Sequence, residues 1–165
     1  MQRRFFLGLL GIGGLASAIP GVVSARPKPD LSRAEGIQPV TLSEAEWRQR
    51  LSEAQYEILR DHGTEPAHSS PLDKETREGE YRCAGCELPL FTSAMKYDSG
   101  TGWPSFFEHI NGHLLTEADY SMIWPRTEYH CARCGGHQGH VFEDGPEPTG
   151  LRWCNNGLAL TFAPA

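Results

Sequence analysis

Two pairs of cysteines constrain this chain more than anything else in it. Cys83-Ala84-Gly85-Cys86 and Cys131-Ala132-Arg133-Cys134 are Cys-x-x-Cys knuckles separated by 44 residues. A two-residue gap lets both thiolates of one turn reach a single tetrahedral ion while backbone amides support the sulfurs. Two such turns complete a closed four-thiolate shell with no open position for substrate, so a zinc ion held there is structural. The rivals are two disulfides or a redox-active dithiol. Two redox motifs in one small domain would be redundant, and the pairing therefore favours zinc. The chain has five cysteines, so Cys154 is left over.

The rest of the composition narrows the class. A chain of 165 residues makes one domain plus an appendage. Fifteen Lys and Arg stand against 21 Asp and Glu, a net charge of −6 that gives no electrostatic footprint for nucleic acid. Eighteen glycines and 12 prolines speak against long helices and for strands joined by turns. Residues 1–25 read as an export signal: Arg3-Arg4 precedes an uncharged apolar run, and Val23-Ser24-Ala25 offers a cleavage site after Ala25, with Ala16-Ser17-Ala18 an earlier one. Arg3-Arg4-Phe5-Phe6-Leu7 resembles a twin-arginine signal, whose route carries folded proteins to the periplasm. The alternative is a short anchor that is never cut. Setting aside 1–25, which carries Arg3 and Arg4 and no acid, takes the net charge from −6 to −8.

Residues 26–40 form a proline-bearing extended leader, and 41–165 the domain proper. Thr41-Leu42-Ser43-Glu44 and Ser52-Glu53-Ala54-Gln55 both fit the capping box. They predict two short helices, one to about Leu51 and one from Ser52 to about His62, stopped by Gly63, with Trp47, Leu51, Ile58 and Leu59 on the apolar face. Beyond Gly63 the helical period gives way to short apolar bursts at 81–83, 88–91, 113–115, 122–124, 128–131, 140–142, 151–154 and 158–162. Gly, Pro, Asp and Asn separate them, as turns separate strands.

Three groups carry candidate chemistry. Cys154 is either a small apolar residue in a strand leading into an Asn155-Asn156-Gly157 hairpin turn, or a reactive thiol. Arg152, two residues away on the same strand face, favours the thiolate and so the second reading. His137-Gln138-Gly139-His140, in a glycine-rich turn and followed by Asp144, offers zinc ligands, surface histidines or active-site donors; four cysteines already fill a zinc shell. Trp103, Phe106 and Phe107 beside Gly100-Thr101-Gly102 are either core or the wall of a pocket for a small apolar group.

These pieces in this order resemble the R-specific, or type B, peptide-methionine sulfoxide reductases, over about 42–162. Besides the knuckles, the resemblance rests on His62-Gly63-Thr64-Glu65-Pro66, Tyr97-Asp98-Ser99-Gly100, Gly102-Trp103-Pro104-Ser105-Phe106, Gly139-His140-Val141-Phe142, Asp144-Gly145-Pro146, Pro148-Thr149-Gly150 and Arg152-Trp153-Cys154. It implies a mainly β (α+β) domain of coiled antiparallel sheets with short N-terminal helices and one structural zinc on Cys83, Cys86, Cys131 and Cys134, away from the active site. It implies that Cys154 attacks the sulfoxide sulfur and becomes a sulfenic acid. Trp103, with Phe106 beside it, would hold the substrate methyl group. His137, His140 and Asn156 would surround the sulfoxide oxygen, and Asp144 and Arg152 would form an electrostatic pair near the nucleophile.

Two departures qualify the resemblance. Thr101 stands where many members have a resolving cysteine, and with zinc bound no other thiol remains. The sulfenic acid would then be reduced by an external thiol, a thioredoxin-like protein or a small thiol. Gly157 replaces a family serine, which puts in doubt how rigidly Asn156 is held. A non-catalytic ligand- or partner-binding module on the same zinc scaffold is the alternative, and a periplasmic disulfide exchanger lacks its βαβ pattern. The joint presence of Cys154, Arg152, His137, His140 and Trp103 favours the enzyme, acting as a monomer on oxidised protein or peptide methionine.

Overall fold

The computed structural model describes residues 32–165; residues 1–25, read above as an export signal, and 26–31 of the expected leader lie outside the described residues. The chain enters through two helices, α1 (Glu44–Arg50) and α2 (Glu53–Asp61). Ser52 caps α2 as the sequence suggests, in a reciprocal box with Gln55. The cap of α1 lies two residues later than expected: Ser43, not Thr41, closes the box, and Glu46 accepts its backbone N–H at 2.7 Å. The preceding chain is held extended because the Val40 N–H donates to the Arg133 carbonyl at the second knuckle. Helix α2 ends on His62 itself, in the left-handed region at φ 57°, one residue before the expected glycine stop. Trp47, Leu51, Ile58 and Leu59 are buried as expected, joined by Tyr56.

Nine strands follow. They are β1 (Gly79–Cys83), β2 (Pro89–Thr92), β3 (Lys96–Tyr97), β4 (Ser105–Phe106), β5 (Leu114–Asp119), β6 (Arg126–Cys131), β7 (His137–Phe142), β8 (Arg152–Asn155) and β9 (Leu160–Pro164). Among the described residues they form two sheets in the orders β2-β1-β9 and β3-β4-β8-β7-β6-β5, with every pairing antiparallel. The expected mainly β architecture with short N-terminal helices is therefore the observed one.

Three local expectations fail, each for a physical reason. The burst at 122–124 is no strand; it forms the exposed turn joining β5 to β6, where the reversing backbone leaves apolar side chains nothing to pack on. His137 to His140 lie in strand β7 rather than a turn. Here Gly139 serves close packing, because a Cβ on it would run into the Cys154 carbonyl oxygen of the next strand. Asn155-Asn156-Gly157 makes no hairpin. A 3-10 turn at Gly157–Ala159 carries the chain out of the larger sheet and into β9 of the smaller one. Strands β3 and β4 are two residues each, too short to show any alternation in sequence.

The core between the sheets is aromatic. Phe91 stacks on Phe106 with centroids 4.0 Å apart, Tyr81 meets Phe106 edge-on at 4.9 Å, and Tyr129 meets Trp153 at 5.0 Å. Phe106 was expected beside a substrate pocket. At 0% exposure between Phe91 and Tyr81 it is instead a core residue, while Trp103 from the same loop faces the cleft described below. Phe106→Ala is accordingly expected to lower unfolding free energy by about 3–5 kcal/mol in denaturant titration, the range for truncating a buried aromatic. A variant of native stability would return Phe106 to the pocket wall.

Candidate active site and metal centre

The two knuckles meet. Cys83 and Cys86 bound the turn after β1, Cys131 ends β6 and Cys134 follows it, and all four thiols are buried. Their sulfurs lie within 4.8 Å of one another, with Cys83 to Cys134 at 3.6 Å and Cys86 to Cys131 at 3.5 Å. Such spacings approach the edge of about 3.8 Å for a tetrahedron of sulfurs at about 2.3 Å from one ion. They far exceed a disulfide bond of about 2.05 Å. The donor set fits a single soft cation, whose charge would offset four clustered thiolates. The Gln138 side-chain amide also donates to Cys83 Sγ at 3.4 Å, as an outer support of a metal ligand does.

Cys154 sits elsewhere, on β8, opposite Ser105 of β4 and His140 of β7. It opens on a cleft of about 140 Å³ whose walls include Trp103, His140, Phe142, Arg126, Thr64 and Asn156. The Trp103 indole N–H donates to the Glu65 carbonyl at 3.1 Å, which fixes one end of the ring. Arg152 is a neighbour of the thiol, but its guanidinium makes a two-point bridge to Asp144 at 2.8 and 2.9 Å and lies 4.3 Å over the Phe142 ring. The pair expected from sequence is therefore present. Its effect on the thiol is weaker than expected: burial pushes the Cys154 pKa above the ordinary value, and the pull of Arg152 and of a hydrogen bond from Thr101 only partly offsets it.

Thr101 belongs to a chain of hydroxyls. Ser99 Oγ lies 2.8 Å from both Thr101 Oγ1 and Ser105 Oγ, and Ser105 donates to the Trp103 carbonyl at 3.1 Å. A carbonyl only accepts, so in this state Ser99 donates to Ser105 and Thr101 donates to Ser99. The Thr101 lone pairs are then left for the Cys154 S–H. Loss of the thiol proton lets the chain turn round, with Thr101 donating to the thiolate.

Each histidine of the pair is backed by a carboxylate. His140 Nε2 lies 2.8 Å from Asp119 Oδ2, and Arg126 donates to the same oxygen at 2.6 Å. Bonds from Ser121, His140 and Arg126 hold the Asp119 carboxyl well below the usual carboxylate range. His137, 1% exposed, meets Glu128 Oε1 through Nδ1 at 2.6 Å, and His62 reaches that oxygen at 2.9 Å. Burial pushes the His137 pKa down, and its Nε2 is buried without a partner among the described residues. His137 and His140 rings are 5.5 Å apart.

Asn156 is rigid, contrary to the doubt raised by Gly157. Its Oδ1 accepts the Glu65 N–H at 3.1 Å and its Nδ2 donates to the Gln138 carbonyl at 3.1 Å. Buried Glu65 in turn accepts the Gly157 and Leu158 N–H groups at 2.6 and 2.9 Å. The glycine is what the site needs, since a Cβ on Gly157 would collide with the Ser70 side chain. Sequence reasoning missed Asp119, Arg126 and Glu128 altogether. Asp119 and Arg126 flank an apolar loop that reads as a strand, and Glu128 sits inside β6, so neither carries a local signal of pairing with histidine.

Two outcomes follow from this geometry. Replacing Cys131 by Ser is expected to abolish binding of one metal ion per chain and cooperative unfolding together, read by metal analysis and thermal melting. Thr101→Val removes the hydroxyl that hydrogen-bonds the thiolate, so the alkylation rate of Cys154 should rise at higher pH than in the wild type. An unshifted profile would mean that the hydroxyl chain leaves the thiol untouched.

The model of the SelR domain family matches residues 51–164. A peptide methionine sulfoxide reductase MsrB of Agrobacterium fabrum is 51% identical over 76% of this chain and 93% of its own length. An MsrB of Thiobacillus denitrificans is 50% identical over 74% of this chain and 93% of its own. The chloroplastic peptide methionine sulfoxide reductase B1 of Arabidopsis thaliana is 47% identical over 85% of this chain and 70% of its own. A chain that carries the family's match over most of its domain, on a fold of paired sheets joined at four cysteines, belongs to the SelR domain family, with the MsrB-type peptide methionine sulfoxide reductases as its relatives.

Proposed function

We propose that this protein reduces methionine-R-sulfoxide in oxidised proteins or peptides to methionine, with Cys154 as the nucleophile, and so repairs oxidative damage. One observation carries the reading: Cys154 is the single thiol outside the four-sulfur cluster, and it opens on a cleft walled by an indole and an imidazole. The Cys154 thiolate attacks the sulfoxide sulfur. The S–O bond of the substrate breaks as an S–O bond forms on Cys154, so methionine leaves and the cysteine becomes a sulfenic acid. Trp103 holds the methyl group. Asp119 and Glu128 fix the rings of His140 and His137, and the pair delivers a proton to the sulfoxide oxygen. The Asn156 amide has spent one N–H on Gln138 and keeps its second for that oxygen.

The four-cysteine site holds one zinc ion, which is structural. Zinc supplies no step of the reaction; it ties together the turns that carry the two sheets. Because Thr101 stands where many members of the family carry a resolving cysteine and every other thiol is a metal ligand, the sulfenic acid meets an external reductant. Two thiol equivalents, from a thioredoxin-like protein or a small thiol, return Cys154 to its reduced form with release of water and a disulfide. The segment 1–25 fits twin-arginine export to the periplasm, a route that delivers the domain already folded around its metal.

The test is turnover of each sulfoxide epimer in a methionine peptide with dithiothreitol. The R epimer is expected to be consumed and the S epimer left. Cys154→Ser should lose about a thousandfold or more in rate with its metal content unchanged, since a hydroxyl of ordinary pKa is a far poorer nucleophile than a thiolate. Comparable turnover by that variant would end the assignment.

A further inference from the structure

Tyr120, Met122, Ile123 and Trp124 are 75%, 59%, 92% and 80% exposed on the turn between β5 and β6. Single exposed apolar residues are ordinary, but a run of four within five positions is a patch. Among the described residues Leu158, at 38%, is the one other openly exposed large hydrophobic side chain. The most exposed large apolar side chains are therefore gathered on one turn, and that turn is continuous with the cleft. Its two ends are Asp119 and Arg126, bridged at 2.6 Å, and its Ser121 N–H donates to Asp119 at 2.8 Å. Asp119 holds His140, and both His140 and Arg126 line the cleft that contains Cys154.

The size of the cleft decides what must lie on this turn. A space of about 140 Å³ takes one side chain, near the roughly 150 Å³ that accommodates a benzene-sized group. A methionine sulfoxide inserted toward Cys154 leaves its neighbours in the polypeptide outside, on the rim where the turn begins. Methionine is mostly a core residue, so a chain opened far enough to thread its sulfoxide into a cleft also bares apolar neighbours. Arg126 is already matched by Asp119, so this stretch of the rim offers no unbalanced charge to select charged ones.

We propose that the turn at 120–124 is a docking surface for the apolar residues that flank methionine sulfoxide in unfolded polypeptide. The inference rests on Cys154 being the site of sulfoxide reduction. Its occupant is an extended, apolar stretch of substrate, gripped by Ile123 and Trp124 while the sulfoxide side chain enters the cleft.

The experiment compares three substrates carrying the same R-sulfoxide: a peptide with Leu and Phe beside it, one with Ser and Gly there, and N-acetyl-methionine sulfoxide methylamide. Full-length wild type and the double variant Ile123→Ser/Trp124→Ser are assayed with dithiothreitol. Wild type should prefer the apolar-flanked peptide by about tenfold in kcat/KM, mainly through KM, as expected for burying a few apolar side chains. The variant should lose that preference yet reduce the blocked amino acid at the wild-type rate, which also reports that it is folded. An equal preference in both proteins, or none in wild type, overturns the docking surface while leaving the chemistry intact. Failure of wild type on all three substrates removes both readings, and is distinct because the blocked amino acid never touches the turn. Two further results would reassign the patch and overturn the proposal. One is a wild-type dimer that the double variant dissolves in sedimentation, which places a second copy there. The other is binding to phosphatidylcholine/phosphatidylglycerol vesicles that the variant loses, which places a lipid surface there.

Discussion

Cys83 and Cys86 belong to the three-stranded sheet, at the turn from β1 to β2; Cys131 and Cys134 belong to the six-stranded sheet, at the turn from β6 to β7. The four-sulfur junction is thus a cross-link between sheets rather than an ornament on one of them. A small domain with short strands has limited area to bury, and a metal closing a loop of this length adds binding free energy directly to folding. The N-terminal segment is drawn to the same place. Val40 bonds the second knuckle's backbone, and the Arg60 side chain donates to the Cys134 carbonyl at 3.0 Å.

From that junction a buried polar line runs to the strand that bears Cys154. Gln138 donates to Cys83 Sγ, its side-chain oxygen accepts from Asn155, and Asn155 accepts from the Tyr129 hydroxyl at 2.8 Å. Gln138, Asn155 and Tyr129 are all fully buried, and a buried polar group left unpaired is costly, so the three lock one another. Asn155 is the residue after Cys154. A metal held at the four cysteines would thus bear on the cleft mechanically, by fixing the strand that carries Cys154.

The site itself is a balance between burial and charge. Burial holds the Cys154 proton on, while Arg152 and Thr101 favour its loss. Arg152 contributes less than its proximity suggests because Asp144 already engages it. The histidines follow a parallel logic, each set against an acid that the rest of the protein supplies: Asp119 from the end of β5, Glu128 from within β6. Burial is the larger of the opposing effects on the thiol, and the carboxylates hold the neighbouring imidazoles in fixed orientations.

What the sequence determined by itself was chemistry that depends on spacing. Two-residue gaps announced the thiol cluster, the odd cysteine announced the one thiol that lies outside it, and the capping boxes and apolar stripe announced two helices, because each of these is written in the local chain. The resemblance carried the rest of the fold class. Only the tertiary structure decided which aromatic of the Trp103-Pro104-Ser105-Phe106 segment faces the cleft, since both are equally apolar and two-residue strands carry no phase. It alone turned the apolar burst at 122–124 outward, and it alone paired His140 with Asp119 and His137 with Glu128. Those pairings join residues that are distant in sequence or on neighbouring strands, and register between strands is set by the packing of the whole sheet, which no local pattern records.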